Sequence, residues 1–191
     1  MRSSALRTER AAMLAPLVLA CALLAATPAP RAIDSAKSSA QFSVAHIWVE
    51  RVTGTVPILS GSVTLLPGSL IPQSANAVLD ATRITTGEPD RDRSLESPDF
   101  FDTAKFPRWT FTSTRIVPKG PASFEMDGDL TVHGVTQPEQ LDVTASGEAA
   151  HPEYRAKAQI DRHAFGMTRA RLDPTIGNTV DITLDVVVEP P

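Results

Sequence analysis

The chain of 191 residues predicts an all-β domain of eight antiparallel strands, and three observations predict it. Apolar residues alternate with polar ones at period two. Glycine and proline clusters break these runs at short intervals. One connection only, from Thr85 to Pro107, is long enough to hold helix. In Val180–Glu189 the positions 180, 182, 184, 186 and 188 are all apolar, and the alternate set contains only Val187. In Phe124–His133, Phe124, Met126, Gly128, Leu130 and Val132 share one side, with Glu125, Asp127, Asp129, Thr131 and His133 opposite. Alternation of this kind marks strands with one face buried and one solvated.

The N-terminal region reads differently. Arg2, Arg7 and Arg10 precede an uncharged run, Ala11 to Ala26, which gives way to a stretch rich in proline and alanine. That is the layout of a secretory signal. The run is broken by Pro16 and is shorter than the roughly 18 to 20 residues a spanning helix needs. Residues 1–32 are therefore read as a leader, cut after Ala26, Ala29 or Ala32, and residues 33–191 as the domain. A periplasmic or secreted location follows. The rival reading is lipidation at Cys21, where Val18-Leu19-Ala20-Cys21 loosely resembles a lipobox. Cys21 is the single cysteine, so a processed domain has no disulfide and is held together by burial alone. Removing the leader takes away four basic residues and one acidic residue, which moves the net charge from −4 to about −7. Nucleic-acid binding is disfavoured at that charge, because affinity for phosphate backbones comes from clustered Lys and Arg.

Along the domain the strands are read as Ser39–Val49, Val52–Leu66, Ser74–Ile84, Trp109–Val117, Phe124–His133, Glu139–Glu148, Tyr154–His163 and Val180–Glu189. Breakers at Pro67–Pro72, Pro118–Pro121, His133–Pro138 and Gly147–Pro152 separate several of them and imply a meander. Eight such strands form a sandwich or close into a barrel, and closure removes exposed edges. Small residues on inward positions, Gly128, Ala145, Ala156 and Ala158, suit a barrel with space for one small ligand.

The long connection contains Arg91–Pro107, RDRSLESPDFFDTAKFP, with three phenylalanines and a leucine where the flanks say loop. Soluble chains seldom expose so much contiguous apolar surface, so these rings close a core or line a site. Ser97 followed by Pro98 and Asp99 reads as a helix start, with Asp90 capping a preceding turn.

Four blocks resemble the YceI-like family of exported lipid-binding proteins: FSVAHIWVERVTG at Phe42–Gly54, RDRSLESPDFFDTAKFPRWTFTST at Arg91–Thr114, GDLTVHGVTQP at Gly128–Pro138, and DRHAFGM at Asp161–Met167. The resemblance implies a lipocalin-like antiparallel barrel, into which the eight strands read from alternation would close, with the one or two short helices read from the caps in the 85–107 connection. It also implies an apolar tunnel for a long-chain lipid or isoprenoid, such as a polyprenyl phosphate or a quinone, and no catalysis. Ser94 and Val56 depart from the family pattern, which usually has histidine and an aromatic residue there. An isoprenoid tail gains about 0.8 kcal/mol per CH₂ removed from water, so such a tunnel binds without directional contacts and with loose specificity.

On this reading Phe42, Val44, His46, Trp48, Trp109 and Phe111 are wall candidates, with Leu130, Phe165 and Met167 completing the set. Leu95, Phe100, Phe101 and Phe106 would close one end. Each is equally accounted for as packed core. Arg91 and Arg169 are head-group candidates, although Arg91 beside Asp92 suits a salt bridge within its own turn. His46, His133 and His163 lack metal-ligand spacing, and no hydrolase motif or phosphate loop is present. No cofactor or metal is expected beyond the bound lipid or quinone. Transient contact with a membrane or membrane protein, and a homodimer, stay open as partners. The rival functions are an enzyme using His46 or His133 as base, and a stress or redox partner protein in which the lipid is structural filler.

Overall fold

A computed structural model describes residues 28–46, 50–168 and 175–191. Ten strands form one antiparallel sheet. They are β1 (Ala29–Ala32), β2 (Ser39–His46), β3 (Glu50–Val56), β4 (Ile58–Leu65), β5 (Ser74–Asp80), β6 (Arg108–Gly120), β7 (Ser123–Val132), β8 (Val135–Glu148), β9 (His151–Asp161) and β10 (Ile176–Val187). Helix α1 is Pro89–Glu96, and 3-10 turns occupy Ala81–Arg83 and Arg162–Phe165.

The strand order is β1-β4-β5-β6-β7-β8-β9-β10-β2-β3. This corrects the expected closed eight-stranded lipocalin barrel: the sheet is an open, strongly curled half-barrel whose end strands, β1 and β3, share no ladder. Two strands are additional to the eight expected. Val52–Leu66, which alternation reads as one strand, contains Pro57. Proline has no N–H to donate, and the stretch divides there into β3, paired with β2, and β4, paired with β5. The other addition is β1, which pairs with β4 from Ala29–Leu65 to Ala32–Ser62. Alternation reports which residues face inward, and it is silent on how many neighbours a strand has. One residue of chain, Pro57, joins the end strand β3 to β4, the strand next to the other end, and a backbone bridge between Thr55 and Thr85 ties the β3 end to the segment after β5. The short β1, with Pro30 and Arg31 on it, leaves little edge for another chain to pair with.

Arg31 locks β1 in place. Its Nε donates to the Glu189 carbonyl at 2.8 Å and its Nη1 to the Ala149 carbonyl at 3.0 Å. The β7–β8 connection is a two-residue turn, His133-Gly134, with φ of 54° and 75°. Both central residues need the left-handed region in such a hairpin. Gly134 has a second constraint, because a Cβ there would meet the Phe106 ring at 2.4 Å.

Inward residues form two clusters. Phe124, Met126, Leu141, Tyr154 and Val188 belong to one, with the Phe124 and Tyr154 rings edge to face at 6.0 Å. Trp109, Val132, Ile160, Phe165 and Met167 belong to the other. Tyr154 donates to the Leu70 carbonyl at 3.0 Å, and burial pushes its hydroxyl up to about 12 against the weaker opposing charge of Arg31.

Helix α1 starts at Pro89 and ends before Ser97, so the expected start at Ser97 is corrected to an end. The hydroxyl of Ser97 donates to the Ser94 carbonyl at 2.7 Å, and its own carbonyl accepts from Phe100 and Asp102 amides. Serine serves the C-terminus here because Pro89 already supplies a first helical position, where a missing N–H costs nothing.

Candidate functional site

The interior encloses a cavity of about 540 Å³ that reaches both clusters. Binding pockets for small molecules commonly hold roughly 300 to 1,000 Å³. Inward positions of the strands supply its wall: Phe42 and Val44 from β2, Trp109 and Phe111 from β6, Leu130 from β7, and Ala156 and Ala158 from β9. His46 and Met167 also line it. Gly128 makes room for an aromatic wall, since a Cβ there would meet the Phe111 ring at 2.3 Å.

Helix α1 and the turns after it cover one end. Arg91, Leu95, Phe100 and Phe101 face the cavity, and the Phe101 ring lies 4.7 Å from that of Trp109 at a tilt of 54°. Phe106 does not reach the cavity wall. It rests on the β7–β8 turn, 5.1 Å from the His133 ring with Lys105 Nζ 4.9 Å above it, and so fastens the covering segment from outside. Phe165 is fully buried and likewise outside the lining. Trp48 and Arg169, and with it Arg171, lie outside the described residues.

Asp92 attaches α1 to the connection before it. Its carboxylate accepts from Thr85 Oγ1 at 2.8 Å, from the Thr86 amide at 2.7 Å and from Thr86 Oγ1 at 2.6 Å. Arg91 Nε donates to the same Thr86 hydroxyl at 2.9 Å, so Arg91 joins this turn through Thr86 instead of pairing with Asp92. Burial works against the charge on Asp92, but the hydrogen bonds from Thr86 and Thr85 and the charge of Arg91 outweigh it and hold the carboxyl below its ordinary 3.8. A depressed carboxyl contributes stability that is complete above its unfolded value and is lost as pH falls through the folded one. We therefore expect α1 to loosen in acid below about pH 4. Acid-protease cleavage within residues 85–96 should rise there, and Asp92→Asn should show fast cleavage at every pH.

Arg162 is buried, 7 % exposed, at the same end. Its guanidinium donates to the carbonyls of Gly177 at 2.9 Å, Met167 at 2.6 Å and Ile176 at 3.0 Å. Two buried nitrogens, His46 Nδ1 and Trp109 Nε1, have no hydrogen-bond partner among the described residues. No three His, Cys, Asp or Glu side chains among the described residues come together as a metal site.

A YceI-like domain is matched over residues 32–188, most of the chain. The chain belongs to the YceI family. A UPF0312 protein of Vibrio parahaemolyticus is 30% identical to this YceI protein over 180 residues, 91% of this chain and 93% of the relative. Among solved structures, Burkholderia cenocepacia BcnA superposes with a TM-score of 0.73 at 23% identity, covering 81% of this chain and 98% of BcnA. A polyisoprenoid binding domain from Saccharophagus degradans superposes with a TM-score of 0.65 at 18% identity, covering 86% of this chain and 100% of that domain. At these identities the structural likeness establishes the shared YceI fold.

Sequence reading missed Glu139, Arg162 and Tyr154 as residues of the cavity wall. Parity along the strands identifies two of them, because Glu139 and Tyr154 occupy the inward set of β8 and β9. Arg162 stands in a 3-10 turn, where no period applies.

Proposed function

We propose that this YceI protein is an exported binding protein that holds one long, apolar molecule, an isoprenoid-type amphiphile, and that it carries or sequesters this molecule without transforming it. The observation that supports this most is the cavity itself. Its wall is almost wholly apolar, it reaches both core clusters, and side chains leave about 540 Å³ of it unfilled. An apolar wall of that extent is unfavourable against water unless something covers it. A lipid tail recovers that energy at about 0.8 kcal/mol per CH₂. The polyisoprenoid-binding description of the Saccharophagus degradans domain agrees with this ligand class.

Removal of the leader and residence outside the cytoplasm belong to the same proposal. Cleavage after Ala26 would keep β1 in the processed protein, and cleavage after Ala32 would strip it from β4.

The test is to purify the processed protein from its native compartment, extract it into organic solvent and identify bound lipid by mass spectrometry. The expected result is one long-chain, isoprenoid-type species near one mole per mole. Protein that arrives free of lipid, and that takes up no prenyl chain added in excess, would remove the proposal.

A further inference from the structure

One inward position on the cavity wall is acidic. Glu139 lies on β8 with the same parity as Leu141 and Val143, which are buried, whereas its neighbours Pro138 and Gln140 are exposed. It lines the cavity. Its register partner on β7 is Gly128, the residue beneath the Phe111 ring, so the carboxyl stands between the two core clusters, midway along the hollow.

The sheet changes at this level. The β8–β9 ladder runs from Glu148–His151 to Asp142–Lys157 and then stops, although β8 continues back to Val135 and β9 continues on to Asp161. The strands diverge beyond Asp142, and the 3-10 turn after β9 wedges between their ends, with Gln137 Nε2 donating to the Ala164 carbonyl at 2.8 Å. Glu139 is on the diverging part. Its carboxyl makes no hydrogen bond and no ion pair among the described residues. Burial, followed by the like charge of Asp161, raises its proton affinity.

Glu139 is half-buried, and a carboxyl without a protein partner on an apolar wall is an acceptor open to a guest that can donate to it. The charged groups nearby do not serve an anionic guest. Three of the guanidinium donors of Arg162 are engaged by backbone carbonyls, and Asp161, on the outward face of β9, adds a negative field from behind the wall.

Resting on the binding reading above, we infer that Glu139 is a specificity-determining residue that turns the cavity against anionic head groups and towards a head that donates a hydrogen bond to a carboxylate, with a long-chain alcohol as the simplest case. The tail then fills the apolar lobes on either side, and the hydroxyl sits where β8 and β9 part. A prenyl phosphate seated at that level would bring its charge against Glu139, while Arg162 is already engaged by backbone carbonyls and Arg91, the other arginine on the wall, belongs to the α1 end with its Nε on Thr86.

The experiment displaces a fluorescent naphthylamine probe from delipidated full-length processed protein with geranylgeraniol and, separately, with geranylgeranyl phosphate, at pH 7.5 and constant ionic strength. The wild type is expected to bind the alcohol at least about tenfold more tightly than the phosphate. Glu139→Val and Glu139→Gln are expected to bring that ratio towards one, chiefly by strengthening phosphate binding. Circular dichroism and the unfolding midpoint establish that both variants are folded, and Gln140→Val on the opposite face should leave the ratio unchanged. A wild type that binds both equally, or a preference that survives both Glu139 variants, overturns this inference and leaves the binding reading intact. Failure of every folded variant to bind either chain overturns both.

Discussion

Replacing Arg162 by alanine is expected to destabilise the domain by roughly 3 to 5 kcal/mol, the largest single-residue effect on folding that the structure implies. The side chain is 7 % exposed and donates to the carbonyls of Gly177, Met167 and Ile176, with a longer contact of 3.4 Å to Asn178 Oδ1. Gly177 and Ile176 open β10, and Met167 lies just past the turn after β9, so one guanidinium fixes where the last strand begins. Deleting it strands three carbonyls, and a buried polar group left without a partner costs about 1 to 3 kcal/mol. Partial entry of water into the gap keeps the total below their sum. For a domain of this size, each kcal/mol lowers the unfolding midpoint by about 2 to 4 °C, so a fall of about 10 °C should appear in a thermal scan. Lysine is expected to recover little, because an ammonium cannot reproduce the flat fork that meets three carbonyls at once. A midpoint within about 2 °C of the parent would show that the arginine is dispensable.

The second large effect concerns binding. Ala158→Phe should leave stability within about 1.5 kcal/mol of the parent and weaken uptake of a prenyl chain by roughly thirty- to a hundredfold. Ala158 lines the cavity from β9, and its register partner on β10 is Ile182. A phenyl ring at this point displaces about three CH₂-sized units of guest, each worth about 0.8 kcal/mol. A fully packed interior would respond in the opposite way. Extra atoms in a filled core cost about 1 to 3 kcal/mol of stability. Measuring urea unfolding and probe displacement on the same variant separates the two cases. Severe destabilisation with unchanged binding would mean that the hollow is not where the guest resides.

Much of this architecture was legible from alternation. The inward sets of β7 and β10 are the very positions that period two selects, because a strand buried on one face has no other way to place its apolar residues. Phe100 and Phe101 stood out in the sequence as rings a loop does not explain, and the structure places them on the cavity wall. Other features had no local signature. Pro57 divides a continuous alternating run, and the two halves pair with different neighbours, which depends on how far the sheet curls. Ser97 carries the same chemistry at a helix end as at a helix start, and only the position of Pro89 decides between them. Phe106 has the composition of a cavity residue, yet it is claimed by Gly134 on a distant hairpin, a contact fixed by tertiary approach alone. Glu139 was readable by parity, but an acidic residue in an inward register breaks the pattern on which the reading relied.

The pairing of β10 with β2 has a kinetic consequence. The earliest long strand stays without this neighbour until the last one arrives, more than a hundred residues later in synthesis. Sheets assembled from such distant partners fold slowly, on milliseconds to seconds, because closing the long intervening loop must precede any reward from contact. While the chain folds, the half-finished molecule therefore shows its greasy face to whatever accompanies it, and a guest of the kind proposed above would enter most readily before the final strand is in place.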